Sequence, residues 1–231
     1  MPLPPANDLA VVEVTIFSLD DEGIVPLHLA KTWLSEEENK RASSFRFDLH
    51  RERYIRGRAM MRTLLARRIG TSPGDLDLLL GNKGKPFLED NSVSFNLSHS
   101  EGTAAFALGA VPDLGLDIER YERSVQVDGL ARRCFREAEI QWLHSFPESE
   151  RHCAFFRIWT AKEARMKATG EGFSLEPLRI EVSFEDGFPV RCLEPVFPPA
   201  YLASLSLPDA ACSVVALAPF RVVEVAPPSL G

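Results

Sequence analysis

The residues best able to do chemistry in this chain fall in two short stretches. Within Trp159–Lys167 (WTAKEARMK), Glu163 and Lys167 stand four positions apart, so on a helix a carboxylate and an ammonium share one face. Within Gly115–Glu119 (GLDIE), strand alternation sets Asp117 and Glu119 on one face and Leu116 and Ile118 on the other. Two neighbouring carboxylates repel unless a cation lies between them, and an all-oxygen pair suits Mg²⁺. Both stretches also have plainer readings. Thr160 and Glu163 fit a capping box, which would make Glu163–Lys167 an ordinary surface ion pair. GLDIE could be a solvated strand face.

Three further segments carry polar groups. VSFNLSHS, Val93 to Ser100, gathers Asn96, Ser98, His99 and Ser100 at the end of a strand, where sites often sit. GNKGKPF, Gly81 to Phe87, is a turn presenting Lys83 and Lys85; Pro86 stands where a Walker A loop needs Ser or Thr. An arginine-rich helix, about Leu49 to Ile69, puts Arg51, Arg58 and Arg62 on one face. They either snorkel from a half-buried face or form a cationic wall for phosphates.

The elements that must position these groups follow from pattern. Ala10 to Ser18 is β-branched and partly alternating, so it is a strand. Ser35 and Glu38 form a capping box that starts a short helix through about Ser43, and Gly70 stops the arginine helix. Thr103 to Leu108 is the next strand. A helix from about Asp128 ends in Phe135 to Leu143. A second helix runs from near Glu148 through WTAKEARMK to Gly170, with Phe155, Ile158, Trp159 and Met166 on its apolar stripe. Lys162 falls inside that stripe, which is costly unless it is paired. Leu178 to Phe184 and Phe188 to Cys192 make a hairpin through an EDG turn after Gly172. Ser213 to Leu217 and Arg221 to Val225 are further strands. The order suggests two α+β halves, 1–112 and 113–231.

Composition narrows the function. A net charge of -7 argues against a nucleic-acid binder working by bulk charge, so any polyanion site must be a local basic cluster. The four cysteines are scattered at no metal or disulfide spacing, which points to a reducing, cytoplasmic setting. MPLPPANDLA has no signal-peptide pattern, and no apolar run approaches a membrane span. The proline-rich ends read as frayed termini.

Taken in order, GKP at Gly84–Pro86, NLSHS at Asn96–Ser100, GLDIE and WTAKEARMKATGEG at Trp159–Gly172 closely resemble the 4′-phosphopantetheinyl transferases of the longer, surfactin-synthetase-activating (Sfp) type. The resemblance spans about Ser35 to Phe184. It implies two similar α+β halves related by pseudo-twofold symmetry, with the active site at their junction. It also implies transfer of phosphopantetheine from coenzyme A to a serine of an acyl or peptidyl carrier protein. By residue matching, Asp117, Glu119 and Glu163 would hold Mg²⁺, Glu163 would be the base for the carrier serine, and Lys167 would serve the leaving phosphate. Lys85, Ser98 and His99 would contact the coenzyme A phosphates. Arg41, Arg53 and Arg58 align with basic residues around the adenosine phosphates. Trp159 and Lys162 match the motif without an assigned step. Glu38 departs from the pattern, because some relatives carry a basic residue near it. That shifts the 3′-phosphate onto Arg41 and the arginine helix. The two-half reading also implies a monomer. Two rivals use the same residues differently: a Mg²⁺-dependent phosphohydrolase, with water in place of the serine, and a non-catalytic carrier-binding module.

Overall fold

The computed structural model describes residues 8–81, 83–170, 175–185, 188–193 and 200–229. The proline-rich start, the Gly172 end of the helix motif and Asp186 and Gly187 of the EDG turn lie outside them.

The first half opens with strand β1 (Ala10–Ser18), then helices α1 (Leu27–Trp33), α2 (Glu36–Ser43) and α3 (Asp48–Ile69). A short hairpin, β2 (Leu79–Leu80) and β3 (Pro86–Phe87), precedes β4 (Ser94–Ser100) and β5 (Thr103–Gly109). Ser35 and Glu38 close the expected capping box on α2. Gly70 ends α3 in the left-handed region, φ 78°, which costs glycine nothing. Pattern reading missed α1, whose N-cap position is Pro26 and which has no side-chain cap.

The second half runs β6 (Gly115–Arg120), α4 (Val127–Cys134), α5 (Glu137–His144), α6 (Glu148–Ala168), β7 (Glu181–Glu185), β8 (Phe188–Leu193), β9 (Ala200–Ser206) and β10 (Ala210–Ala216). The single helix expected before α6 is two. Phe135 takes an extended conformation and buries its ring against Phe155, while the Glu139 carboxylate accepts from the Arg136 N–H and restarts the helix. The strand expected from Leu178 begins three residues later, after a 3₁₀ turn at Pro177–Arg179. β9 gave no clear pattern.

The chain ends in β11 (Phe220–Glu224), which lies on the far side of the 112/113 division in sequence but pairs parallel with β1. The sheets are ordered β11-β1-β5-β4 and β6-β10-β9-β8-β7. In each half the first strand pairs with the last, and the last with the one before it. Counted from the ladder ends Ser18↔Thr103 and Arg120↔Ala210, the pair Thr15↔Phe106 of one half stands where Asp117↔Ser213 stands in the other. The fold is therefore α+β in two halves of like topology.

Three apolar layers hold it. Phe17, Ala104 and Phe106 face Ile55, Met60 and Leu65 of α3. Val12, Val14, Ala105 and Ala107 face Leu116, Ile118, Cys212 and Val214 between the sheets. Ala211 and Val215 face Phe155, Ile158 and Ala161 of α6. Along one edge of the junction, β4 does for β6 what a neighbouring strand would do. Asn96 Oδ1, Ser98 Oγ and Ser100 Oγ accept from the backbone N–H groups of Leu116, Ile118 and Arg120 at 2.9, 3.4 and 3.1 Å. These are alternate residues of one strand face, so the β6 edge of the second half is satisfied by side chains of the first.

Candidate active site

The site forms where β4, β6 and α6 meet. Gly115 lets β6 run against the α6 backbone: a Cβ there would overlap the Ala164 carbonyl oxygen and the Ala168 nitrogen. The strand–helix approach therefore needs glycine. Two residues on, Asp117 and Glu119 point to the α6 side, as alternation requires, and both are buried.

Asp117 Oδ1 accepts from Ser98 Oγ at 2.8 Å and from Lys167 Nζ at 2.6 Å. Lys167 also donates to Ser98 Oγ at 2.9 Å. Glu119 accepts from Ser100 Oγ at 2.7 Å and pairs with Arg123. Thus the structure brings Ser98, Asp117 and Lys167 together. It also brings in Ser100, one of the polar groups noted at the end of strand β4, and Arg123, which the reading of Tyr121–Val127 as a loop passed over.

Glu163 stands on the same helix face as Lys167, and its Oε1 is buried with no hydrogen-bond partner. Burial pushes its pKa up to about 7, with Asp117 and Glu119 adding to the rise and Lys167 opposing it. Glu119 is also raised, by burial and by Asp117, against the hydrogen bond from Ser100. The capping-box reading of Thr160 does not survive. Thr160 is fully buried in mid-helix, where its Oγ1 bonds the Phe156 carbonyl and Ser213 Oγ, both at 2.9 Å. Lys162, the other charge on the apolar stripe, is a structural ion. It pairs with Glu139 at 2.7 Å and donates to the carbonyls of Cys134, Pro177 and Ile180.

The remaining cations do not gather in one place. Arg53, Arg58 and His99 line one cavity of about 190 Å³ between α3 and β4, floored by Leu19, Leu97 and Ala104. Arg53 forks onto both oxygens of Asp20 at 2.8 and 2.7 Å. Arg58 and Arg62 both bind Glu38, which is buried; burial opposes its ionisation, but the arginines and the Ser35 N–H keep its pKa low. The acid at position 38 thus docks α2 on α3 and holds Arg58 at the cavity. His99 lies on the opposite face of β4 from Ser98; desolvation, then the Lys167 and Arg53 charges, lower its pKa. Arg41 sits outside the cavity, over the Phe45 ring at 5.3 Å. Lys85 turns to the other half and donates to the carbonyls of Leu114 and Ala168.

Among the described residues no three carboxylate, histidine or cysteine groups converge as a ready metal cage. Lys167 and Arg123 hold Asp117 and Glu119 instead. The donor set still fits a hard cation. Asp117 Oδ2 and Glu163 Oε1 are both buried without partners, and burial first, then the neighbouring Asp117 charge, raises the pKa of Glu119 and Glu163, a cost of ionisation that a divalent ion would relieve.

An acidic cluster thus lies at the junction of two like halves, beside a cavity lined by Arg53, Arg58 and His99. Residues 113–215 match the 4′-phosphopantetheinyl transferase superfamily and residues 25–110 match the 4′-phosphopantetheinyl transferase N-terminal family. The chain is 33% identical over 227 residues to the 4′-phosphopantetheinyl transferase HetI of Nostoc sp., covering 95% of this chain and 94% of that one. It is 30% identical over 171 residues to the 4′-phosphopantetheinyl transferase Sfp of Bacillus subtilis, covering 68% and 71%. Among solved structures, a holo-(acyl-carrier-protein) synthase from Bacillus anthracis in complex with CoA (3′,5′-ADP) covers 47% of this chain and 97% of its own, at 25% identity and a TM-score of 0.42. The chain belongs to the 4′-phosphopantetheinyl transferase superfamily.

Proposed function

We propose that the protein is a transferase of the Sfp type, which moves 4′-phosphopantetheine from coenzyme A to a serine of an apo acyl or peptidyl carrier protein and releases adenosine 3′,5′-bisphosphate. The observation that carries this reading is the junction itself. Asp117, held by Ser98 and Lys167 through one oxygen, and Glu163 each keep one buried oxygen without a partner, between the halves of a chain that aligns along nearly its whole length with a transferase.

Asp117, Glu119 and Glu163 would hold Mg²⁺, which supplies neutralisation of charge on the pyrophosphate oxygens when bound. Lys167 lies within reach of that charge and can give a proton to the departing phosphate oxygen. Glu163, poised near neutrality with a free oxygen, can take the proton of an attacking serine hydroxyl. Arg53, Arg58 and His99 give the nucleotide end of coenzyme A a cationic wall over an apolar floor. Arg41 flanks that wall. We assign no nucleic-acid or membrane partner. Both sides of the junction come from one chain, which supports a monomer, and the scattered cysteines support a cytoplasmic setting.

The test is mass spectrometry of apo-carriers incubated with enzyme, coenzyme A and Mg²⁺. The expected result is a carrier gaining one phosphopantetheine and free adenosine 3′,5′-bisphosphate. Release of free 4′-phosphopantetheine without any carrier would make the protein a phosphohydrolase instead.

A further inference from the structure

The GKP hairpin crosses the junction by a contact that the transferase reading leaves unused. Lys85, at the foot of β3 in the first half, donates to the Leu114 carbonyl at 2.8 Å and to the Ala168 carbonyl at 2.7 Å in the second. Leu114 immediately precedes β6 and lies three residues before Asp117. Ala168 is the last residue of α6 and follows Lys167. One side chain therefore ties the start of the carboxylate strand to the end of the lysine-bearing helix. The last carbonyls of a helix carry partial negative charge, so a cation is well placed there. The clamp sits where Gly115 already brings strand and helix backbones into contact. Its stem lies along Gly170, where an added Cβ would come within 3.6 Å of Lys85 Cδ.

Lys85 differs from Lys167, whose two acceptors are side chains of the site itself: its acceptors are backbone carbonyls, one at the start of β6 and one at the end of α6. Two of its three ammonium donors are committed, and moving it would strip two carbonyls of a charged partner. We infer that Lys85 is a positioning residue of the transfer reaction, which sets the separation of β6 and α6 at the level of Asp117 and Lys167 and does not itself hold a coenzyme A phosphate. The inference rests on the transferase reading above.

The experiment compares wild type, Lys85→Met, which keeps the stem and loses the charge, and Lys85→Arg, which restores it. Transfer from coenzyme A to one apo-carrier is followed across a Mg²⁺ titration. Lys85→Met should lower kcat about tenfold and raise the Mg²⁺ half-saturation several-fold, with the coenzyme A KM within about twofold. Lys85→Arg should recover much of the kcat. A coenzyme A KM raised about tenfold at unchanged kcat would make Lys85 a phosphate contact and overturn the inference. Should Lys85→Met not fold, the wild-type enzyme still answers. The Lys85 side-chain resonances, assigned by their loss in Lys85→Arg, should stay in place when adenosine 3′,5′-bisphosphate saturates the enzyme. Their displacement would overturn the inference. A wild-type enzyme that modifies no carrier would instead bring down the transferase reading.

Discussion

Glu163 gives the sharpest handle on the junction, because its charge state is coupled to folding. An isolated glutamate titrates at 4.5, while burial and two neighbouring carboxylates lift Glu163 to about 7. Below pH 4.5 the carboxyl is protonated in folded and unfolded chains alike. Between 4.5 and 7 the unfolded chain gives up the proton and the folded chain keeps it, so stability falls as pH rises. Above 7 the loss is complete, and a shift of this size at about 1.4 kcal/mol per unit makes it about 3 kcal/mol in the metal-free enzyme. Glu163→Gln keeps the shape and removes the titration. Any fixed cost of the amide is the same at every pH, so the signal is the slope of the difference between the two proteins.

Urea denaturation in EDTA at several pH values between 4.5 and 8.5 measures it. The variant should gain about 3 kcal/mol on wild type across that range. Adding Mg²⁺ at pH 8 should then stabilise wild type more than the variant, because binding to the folded state alone adds stability that grows with the logarithm of affinity. A difference between the proteins that does not change with pH would refute the buried, neutral carboxylate. Equal stabilisation of both by Mg²⁺ would remove Glu163 from the metal's donor set.

Other outcomes test the supporting structure. Arg53→Ala and Arg58→Ala should each raise the coenzyme A KM about tenfold or more while changing kcat little, as steady-state kinetics will show, because the nucleotide end is remote from the bond that breaks. Gly115→Ala should cost at least about 1–3 kcal/mol in urea melts and most of the activity, since the new methyl meets backbone on both sides. Lys162→Met should destabilise by about 3–5 kcal/mol, because Glu139 is left as a buried unpaired charge. The double variant Lys162→Met/Glu139→Gln should recover part of that loss in the same melts.

Sequence made the strands and helices of the site legible because each carries its own period or cap. The alternation in GLDIE put Asp117 and Glu119 on one strand face, and the turn of WTAKEARMK set Glu163 one turn from Lys167. What it could not give was the partner of each charge, since partners come from other elements. Lys162 looked like a polar intruder on an apolar stripe until Glu139 and three carbonyls closed around it. Glu38 looked like a departure from a basic pattern, and it is the buried anion on which Arg58 and Arg62 converge. Thr160 fitted a cap locally, but a helix continuing through it with Ser213 packed alongside overrode that signal.

The repeat of the two halves explains why one copy of the chemistry suffices. In the ladder positions that hold Asp117 and Glu119 on β6, the first half has Thr15 and Phe17 on β1. Phe17 is core there and packs with Phe106 against α3. Both α3 and α6 end at a left-handed glycine, Gly70 and Gly170. Counted back from those ends, Thr63 stands where Glu163 does, and its hydroxyl turns back to the Ala59 carbonyl at 3.0 Å. The carboxylates of the second half thus have an apolar or hydroxyl counterpart at every position in the first. The first half gives up that cluster and supplies Arg53, Arg58 and His99 to the cavity, with Ser98 and Ser100 facing the other half's acids. An acidic set on both sides would add like charges next to the cavity where polyanionic substrate is proposed to bind, and each would repel it. Dividing the work, with carboxylates and lysine on one side and arginines and serines on the other, places opposite charge across the junction, the asymmetry that the proposed substrate would need to lie in a single direction.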